Sequence, residues 1–215
     1  MSRPPVPLAH WLLLPGARSF YVALIECGAK GLWSPVEMLR LIACECDYRS
    51  VRNKHGYSGL TQIGDSELRS FGWDAARDGA FHLAPPDVQI RRGTFPYFEQ
   101  KRRNPICGVA PTGWTDAAEM WHSNLAPAHA GRSDGVVYDR KTHPTQYLAN
   151  SRLDVIPGPD GKRKHVITRA DLRVVIERDV EANRASYLVA LDGLAHVQRE
   201  IAAGACLPTP PKNVA

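Results

Sequence analysis

Apolar positions along this chain recur mostly at helical spacing. Met38, Leu41, Ile42 and Glu45 fall at i, i+3, i+4 and i+7, so a glutamate ends an otherwise apolar stripe. Ser34-Pro35-Val36-Glu37 in front of it reads as a helix start, with an N-cap serine, proline at the first helical position and a reciprocal glutamate. The pattern predicts a helix running to about Cys46. Before it, residues 1–16 carry four prolines and predict an extended arm, and residues 17–30 a helix ending at Gly31. After it, residues 47–64 are polar and turn-rich, with Leu60-Thr-Gln-Ile63 as a short strand or turn. Further helices are expected around 65–71, over 87–101 behind Pro86, and from Trp114, capped by Thr115 or Asp116. Residues 72–86 and 127–146 read as irregular, 104–113 as a loop, and 147–150 as a turn of helix. Pro157-Gly-Pro-Asp-Gly161 reads as a tight turn between two short extended pieces. Thr168-Arg-Ala-Asp171 is a second capping box, opening one long helix over 168–204 with Leu172, Ile176, Val180, Tyr187, Leu191 and Leu194 on one side. The expected fold class is mainly α with at most a small β-hairpin: one domain over 17–205 between the arm and a flexible tail, 206–215.

Composition narrows the class. Hydrophobic residues make up 44% of the 215, enough for a real core. No apolar run approaches the ~20 residues that span a bilayer, and Trp11–Leu14, cut short by Pro15, is too brief for a signal-peptide core. Net charge is +5 with a pI near 9.0, which suits an anionic partner: nucleic acid, an anionic membrane or a cell-wall polymer. Each basic cluster alone (Arg91-Arg92, Lys101-Arg102-Arg103, Lys162-Arg163-Lys164) reads as solvated surface. The five cysteines, Cys27, Cys44, Cys46, Cys107 and Cys206, lack zinc-site spacing and read as free thiols; no metal and no cofactor are expected.

Glu45 is the candidate chemistry. Burial disfavours a charged carboxylate, and the carbonyl end of a helix repels negative charge, so both effects raise its pKa. A carboxyl protonated near neutral pH can donate to a leaving group. The alternative is that Glu45 snorkels to water or pairs with Arg49 or Arg52. His55 and His122 sit in no nucleophile motif and read as surface or loop histidines.

Glu45, a polar loop, and then Gly56-Tyr57-Ser58-Gly59-Leu60-Thr61-Gln62-Ile63 resembles the lytic transglycosylases and goose-type lysozymes. Those families place glutamate at a helix end, usually followed by Ser-Gly-aromatic, and then a loop closing on Gly-Leu-x-Gln. Gly59-Leu60-Thr61-Gln62 matches in full, whereas Cys46-Asp47-Tyr48 keeps only the aromatic of the first part. Further on, Trp121-x-x-x-Leu125-Ala-Pro127, Gly131-Arg132-x-Asp134, Tyr147-x-x-Asn150-x-x-Leu153-Asp154, Asp160-Gly161 and Ile167-Thr168 look like bacteriophage virion-borne transglycosylase domains. The likeness covers roughly residues 20–180. Leu153–Gly161 also hints at a calcium loop, but lacks alternating oxygen ligands and reads as a plain turn.

This resemblance implies a lysozyme-like helical domain that cleaves peptidoglycan from a phage particle. Glu45 would be acid and then base. Ser58 and Gln62 would hydrogen-bond sugar, Gly59 would let backbone approach the ligand, Tyr48 would pack beside the glutamate, and Tyr147 would line the far wall. Asp65, Glu67 and Asp74 lie in the right part of the chain for a second carboxylate, but none sits in a motif. Expected partners are peptidoglycan and other virion proteins, with no nucleic acid and no membrane span. The rivals are a hydrolytic lysozyme of the same fold, an inactive structural virion protein and, from charge alone, a nucleic-acid-binding helical module.

Overall fold

The structure, a computed structural model, describes residues 3–103, 113–130 and 135–204. Among the described residues the chain is mainly α-helical with two small antiparallel strand pairs, one more than the sequence suggests. Helices α1 (Arg18–Gly28) and α2 (Pro35–Cys46) are followed by strands β1 (Val51–Arg52) and β2 (Ser58–Gly59). Next come α3 (Asp65–Ser70), α4 (Ala75–Asp78) and α5 (Pro86–Gln89). A single π turn over Ile90–Thr94 joins α5 to α6 (Phe95–Arg103). Pro96 follows this widened turn; it lacks an N–H and its ring would crowd an ordinary helical carbonyl, so the widening has a local cause. After α7 (Ala117–Leu125) the chain forms β3 (Val136–Asp139), α8 (Pro144–Asn150), β4 (Val166–Thr168), α9 (Arg169–Ala182) and α10 (Arg184–Ala202).

Helix α2 is central, packing against α1, α7, α9 and α10. Its stripe residues Met38, Leu41 and Ile42 are fully buried, as the periodicity requires. The start differs from expectation. Ser34 is the N-cap residue and Pro35 is at the first position, but no side-chain capping bond forms. Glu37 turns away and its Oε2 accepts the Ala117 amide at 3.0 Å, capping α7 instead. Asp116, the N-cap of α7, accepts from the Glu119 amide at 2.8 Å.

The capping box at Thr168 and Asp171 forms with both reciprocal bonds. The single long helix does not. It breaks at Asn183, whose side-chain amide turns inward and donates to Asp47 Oδ1 at 2.9 Å and Asp179 O at 2.9 Å. The break thereby ties α9 and α10 to the end of α2. The second strand pair aligns Val136 with Thr168, Tyr138 with Ile167 and Asp139 with Val166, placing a strand in the stretch 127–146 read as irregular.

The N-terminal segment is docked over most of its length. Val6 N donates to Ala182 O at 2.7 Å, Arg3 pairs with Asp47 at 2.5 Å, and a short turn at His10–Leu12 drives Leu12 into the core. The tail 206–215, Cys107, Cys206 and the Gly131-Arg132-x-Asp134 motif lie outside the described residues, as does nearly all of the 104–113 loop. Cys27, Cys44 and Cys46 are free thiols. Among the described residues no helix is long and apolar enough to cross a membrane.

Candidate functional site

The last turn of α2 delivers Glu45 to the edge of the core. The residue is half-buried, with enough protein around its carboxyl to withdraw it from much of the water. That burial pushes its pKa from an ordinary 4.5 up to about 7, against weaker downward pulls from the Asn124 amide and the Arg152 guanidinium. Asn124 Nδ2 donates to Glu45 Oε1 at 3.3 Å from the last turn of α7. Asn124 Oδ1 is buried with no hydrogen-bond partner. Among the described residues no ion pair involves Glu45; Arg52, one expected alternative partner, forks onto Asp65 instead.

Past Cys46 the backbone enters the left-handed region, at φ 54° for Asp47 and 56° for Tyr48. Asp47 occupies the position where the motif usually has glycine, so this conformation is taken without it. Aspartate tolerates that region better than most residues, and its carboxylate is further held by Arg3 and Asn183. The Gly59–Gln62 loop then packs directly on the helix end: the Cys46 thiol donates to Leu60 O at 3.3 Å and lies 3.5 Å from Ile42 O. The structure therefore joins the Gly-Leu-x-Gln loop to the end of α2 through Cys46, the residue after the glutamate.

The loop's residues brace one another. Gln62 Oε1 accepts from Asn53 Nδ2 at 2.8 Å, while its Nε2 donates to Gly59 O at 2.8 Å and Val51 O at 3.1 Å. Its amide thus braces the hairpin. Gly59, at φ +83°, is needed for packing: a Cβ there would sit 2.6 Å from Phe81 Cε1 and 2.8 Å from Gln89 Oε1. Its backbone is approached by these side chains rather than held open for a ligand. Ser58 is buried within the β1–β2 pairing opposite Arg52, and its hydroxyl has no partner.

Both tyrosines are buried rather than open to a ligand. Tyr48 is fully buried, its hydroxyl donating to Leu39 O at 2.9 Å and its carbonyl accepting Trp11 Nε1 at 2.7 Å; it is a core residue below the helix end. Tyr147 is 1% exposed and donates to Asp154 Oδ2 at 2.7 Å, so it stiffens the α8–β4 region and lines no open wall. The sequence pattern singles out neither Asn124 nor Gln89. The buried Gln89 accepts from the Leu60 amide at 3.0 Å and from Ser50 at 3.0 Å, pinning the motif loop from α5. Asn124 lies inside the Trp121-x-x-x-Leu125 motif, yet only the packing of α7 on α2 gives it a role. His122 corrects the expectation of a surface or loop histidine, because α7 turns it into the core, whereas His55 is on the exposed hairpin turn as expected.

An open cleft of about 800 Å³ borders the hairpin, lined by Arg52, Asp65, Leu68, Arg69, Trp73 and Phe81 among others; Glu45 is not one of its lining residues. Asp65 sits on this cleft with Arg52 Nη1 and Nη2 at 2.9 and 2.6 Å, and that pairing holds its carboxyl below the usual carboxylate range. Asp65 therefore loses its proton at a lower pH than Glu45 does. Among the described residues no group of three or more His, Cys, Asp or Glu is placed to hold a metal. Compared with known proteins, the chain matches no family model, no curated protein and no solved structure.

Proposed function

We propose that this chain is a lysozyme-like lytic transglycosylase of peptidoglycan, carried in a phage particle, with Glu45 as acid and then base. The observation that carries the reading is a carboxyl of raised pKa, without an ion-pair partner among the described residues, at a helix end whose next residue, Cys46, hydrogen-bonds the Gly59-Leu60-Thr61-Gln62 loop. The left-handed turn at Asp47, where the motif usually has glycine, supports it further.

The mechanism follows from one carboxyl used twice. Protonated Glu45 donates its proton to the glycosidic oxygen as the bond to the muramic-acid anomeric carbon breaks. The substrate's own acetamido group stabilises the positive charge left on that carbon. The Glu45 carboxylate then removes the proton from the 6-hydroxyl, whose oxygen closes on the anomeric carbon as a 1,6-anhydro ring. The carboxyl ends protonated and no water is consumed. A second carboxylate is unnecessary in this scheme, in keeping with the paired, ionised state of Asp65. The positive net charge suits an anionic wall.

Mass spectrometry of muropeptides released from peptidoglycan by the purified protein and by Glu45→Gln tests the proposal. Anhydro ends from the unsubstituted protein alone support it. Free reducing ends indicate a hydrolytic lysozyme. No release by either protein indicates a structural role.

A further inference from the structure

A carboxyl that serves as acid and then as base needs a neighbour able to meet both of its protonation states. A cation meets only the carboxylate, and an aliphatic side chain meets neither. The carboxamide of Asn124 has both faces: two N–H donors and an acceptor oxygen. Its Nδ2 lies 3.3 Å from Glu45 Oε1, and its Oδ1 is buried and unpartnered. A half-turn of the amide exchanges the two atoms, so the oxygen that now has nothing to accept would face a protonated Glu45 and take its O–H.

The amide is held where this exchange counts. At one end of α7, Asp116 and Glu37 fix the first turn. At the other, the Tyr138 hydroxyl donates to the carbonyl of Leu125, the residue after Asn124. The Asn124 backbone is thus anchored on both sides, leaving the side chain as the movable part.

We propose that Asn124 is the positioning residue of the site, donating to the Glu45 carboxylate and, turned over, accepting from the Glu45 acid; this rests on the reading of Glu45 as acid and then base. When the proton leaves for the glycosidic oxygen, the amide presents N–H to the new carboxylate. When the proton from the 6-hydroxyl arrives, the amide presents its oxygen again. Asn124 exchanges no proton itself.

The test pairs a direct titration with kinetics. The Glu45 carboxyl is followed by carbon NMR in the labelled full chain, unsubstituted and as N124A, N124L and N124D, beside pH profiles of kcat and KM on peptidoglycan. The near-isosteric N124L and N124D stand in where N124A does not fold. The expected result is a Glu45 pKa that rises by less than about one pH unit in N124A and N124L, because both protonation states lose a hydrogen bond and the carboxylate loses the stronger one, and that rises further in N124D, where a second carboxyl faces the first. The plateau kcat should fall roughly tenfold or more with KM nearly unchanged. A Glu45 pKa raised by more than about one pH unit in N124L shows a donor that serves the carboxylate alone and overturns the two-sided role, and so does a retained plateau kcat. Absence of cleavage by the unsubstituted protein overturns the muralytic reading, and the two-sided role with it. The failures are distinguishable, because the first two are read on an active parent.

Discussion

The carboxylate of Glu37, in the first turn of α2, accepts the backbone amide of Ala117, 80 residues further along, and so caps α7. At the opposite ends of the same two helices Asn124 meets Glu45. The pair is therefore registered twice, once by a structural carboxylate and once by the candidate catalytic one. Glu37→Ala should cost about 1 kcal/mol of stability, the usual worth of a lost cap. Urea denaturation measures this, and a loss near zero would mean that water replaces the cap.

Glu45 makes stability depend on pH. The folded protein holds this proton more tightly than the unfolded chain, so the group contributes stability that is full below about pH 4.5 and lost as pH rises to about 7. A shift of that size amounts to roughly 3 kcal/mol. Glutamine has no such proton. Glu45→Gln should therefore gain on the parent as pH rises, by up to about 3 kcal/mol at pH 8 relative to pH 4. Denaturation curves at the two pH values decide it, since an equal difference at both contradicts a raised pKa.

The same carboxyl should set the alkaline limb of activity. Proton donation requires the acid form, so kcat on peptidoglycan should fall about tenfold per pH unit above roughly pH 7. Glu45→Gln should lower kcat by about 10³ or more. Initial rates of muropeptide release across pH 5 to 9 check both expectations.

Asp65→Asn separates one-carboxylate from two-carboxylate chemistry. The Arg52–Asp65 pair is exposed on both sides, so its loss should cost less than about 1 kcal/mol. Activity should stay within about threefold of the parent, because Glu45 already covers both proton transfers. Abolished activity in a variant that melts normally would instead assign Asp65 a part in the reaction.

Gly59→Ala tests the loop. A methyl group there meets Phe81 and Gln89 at less than 3.0 Å, in a left-handed backbone that alanine resists. Steric and conformational costs together should reach about 3 kcal/mol. Thermal denaturation should show a clear fall in Tm, and an unchanged Tm would mean that Phe81 is free to swing away.

The legible parts of this fold were those fixed by neighbours in sequence. The α2 stripe, its end at Cys46, the Thr168–Asp171 capping box and the helix behind Asp116 all follow from local periodicity and capping chemistry. The parts hidden in the sequence depend on distant partners. Strands β3 and β4 find each other across an intervening helix, and neither segment alternates long enough to announce a strand. The break at Asn183 exists because its amide is drawn to Asp47, a residue in another helix cap. Tyr48 and Tyr147 have polar tips that suit either a sugar or a buried acceptor, and the acceptors, Leu39 O and Asp154, emerge only from packing. Glu45 was visible as an acid on an apolar stripe. Asn124, its partner, was not, because a contact between two helix ends is set by their crossing rather than by any spacing along the chain.

The docked N-terminal segment bears on how this protein is trimmed. Arg3 clasps Asp47, and the Trp11 indole holds the Tyr48 carbonyl, so both left-handed residues behind Glu45 are gripped from the first dozen positions. A chain shortened to begin at residue 17, where the helical pattern suggests a clean boundary, would release that grip and let the end of α2 fray. Protease nicking between the segment and α1 would do the same, and would be seen as a loss of order at the carboxyl before any loss of the core.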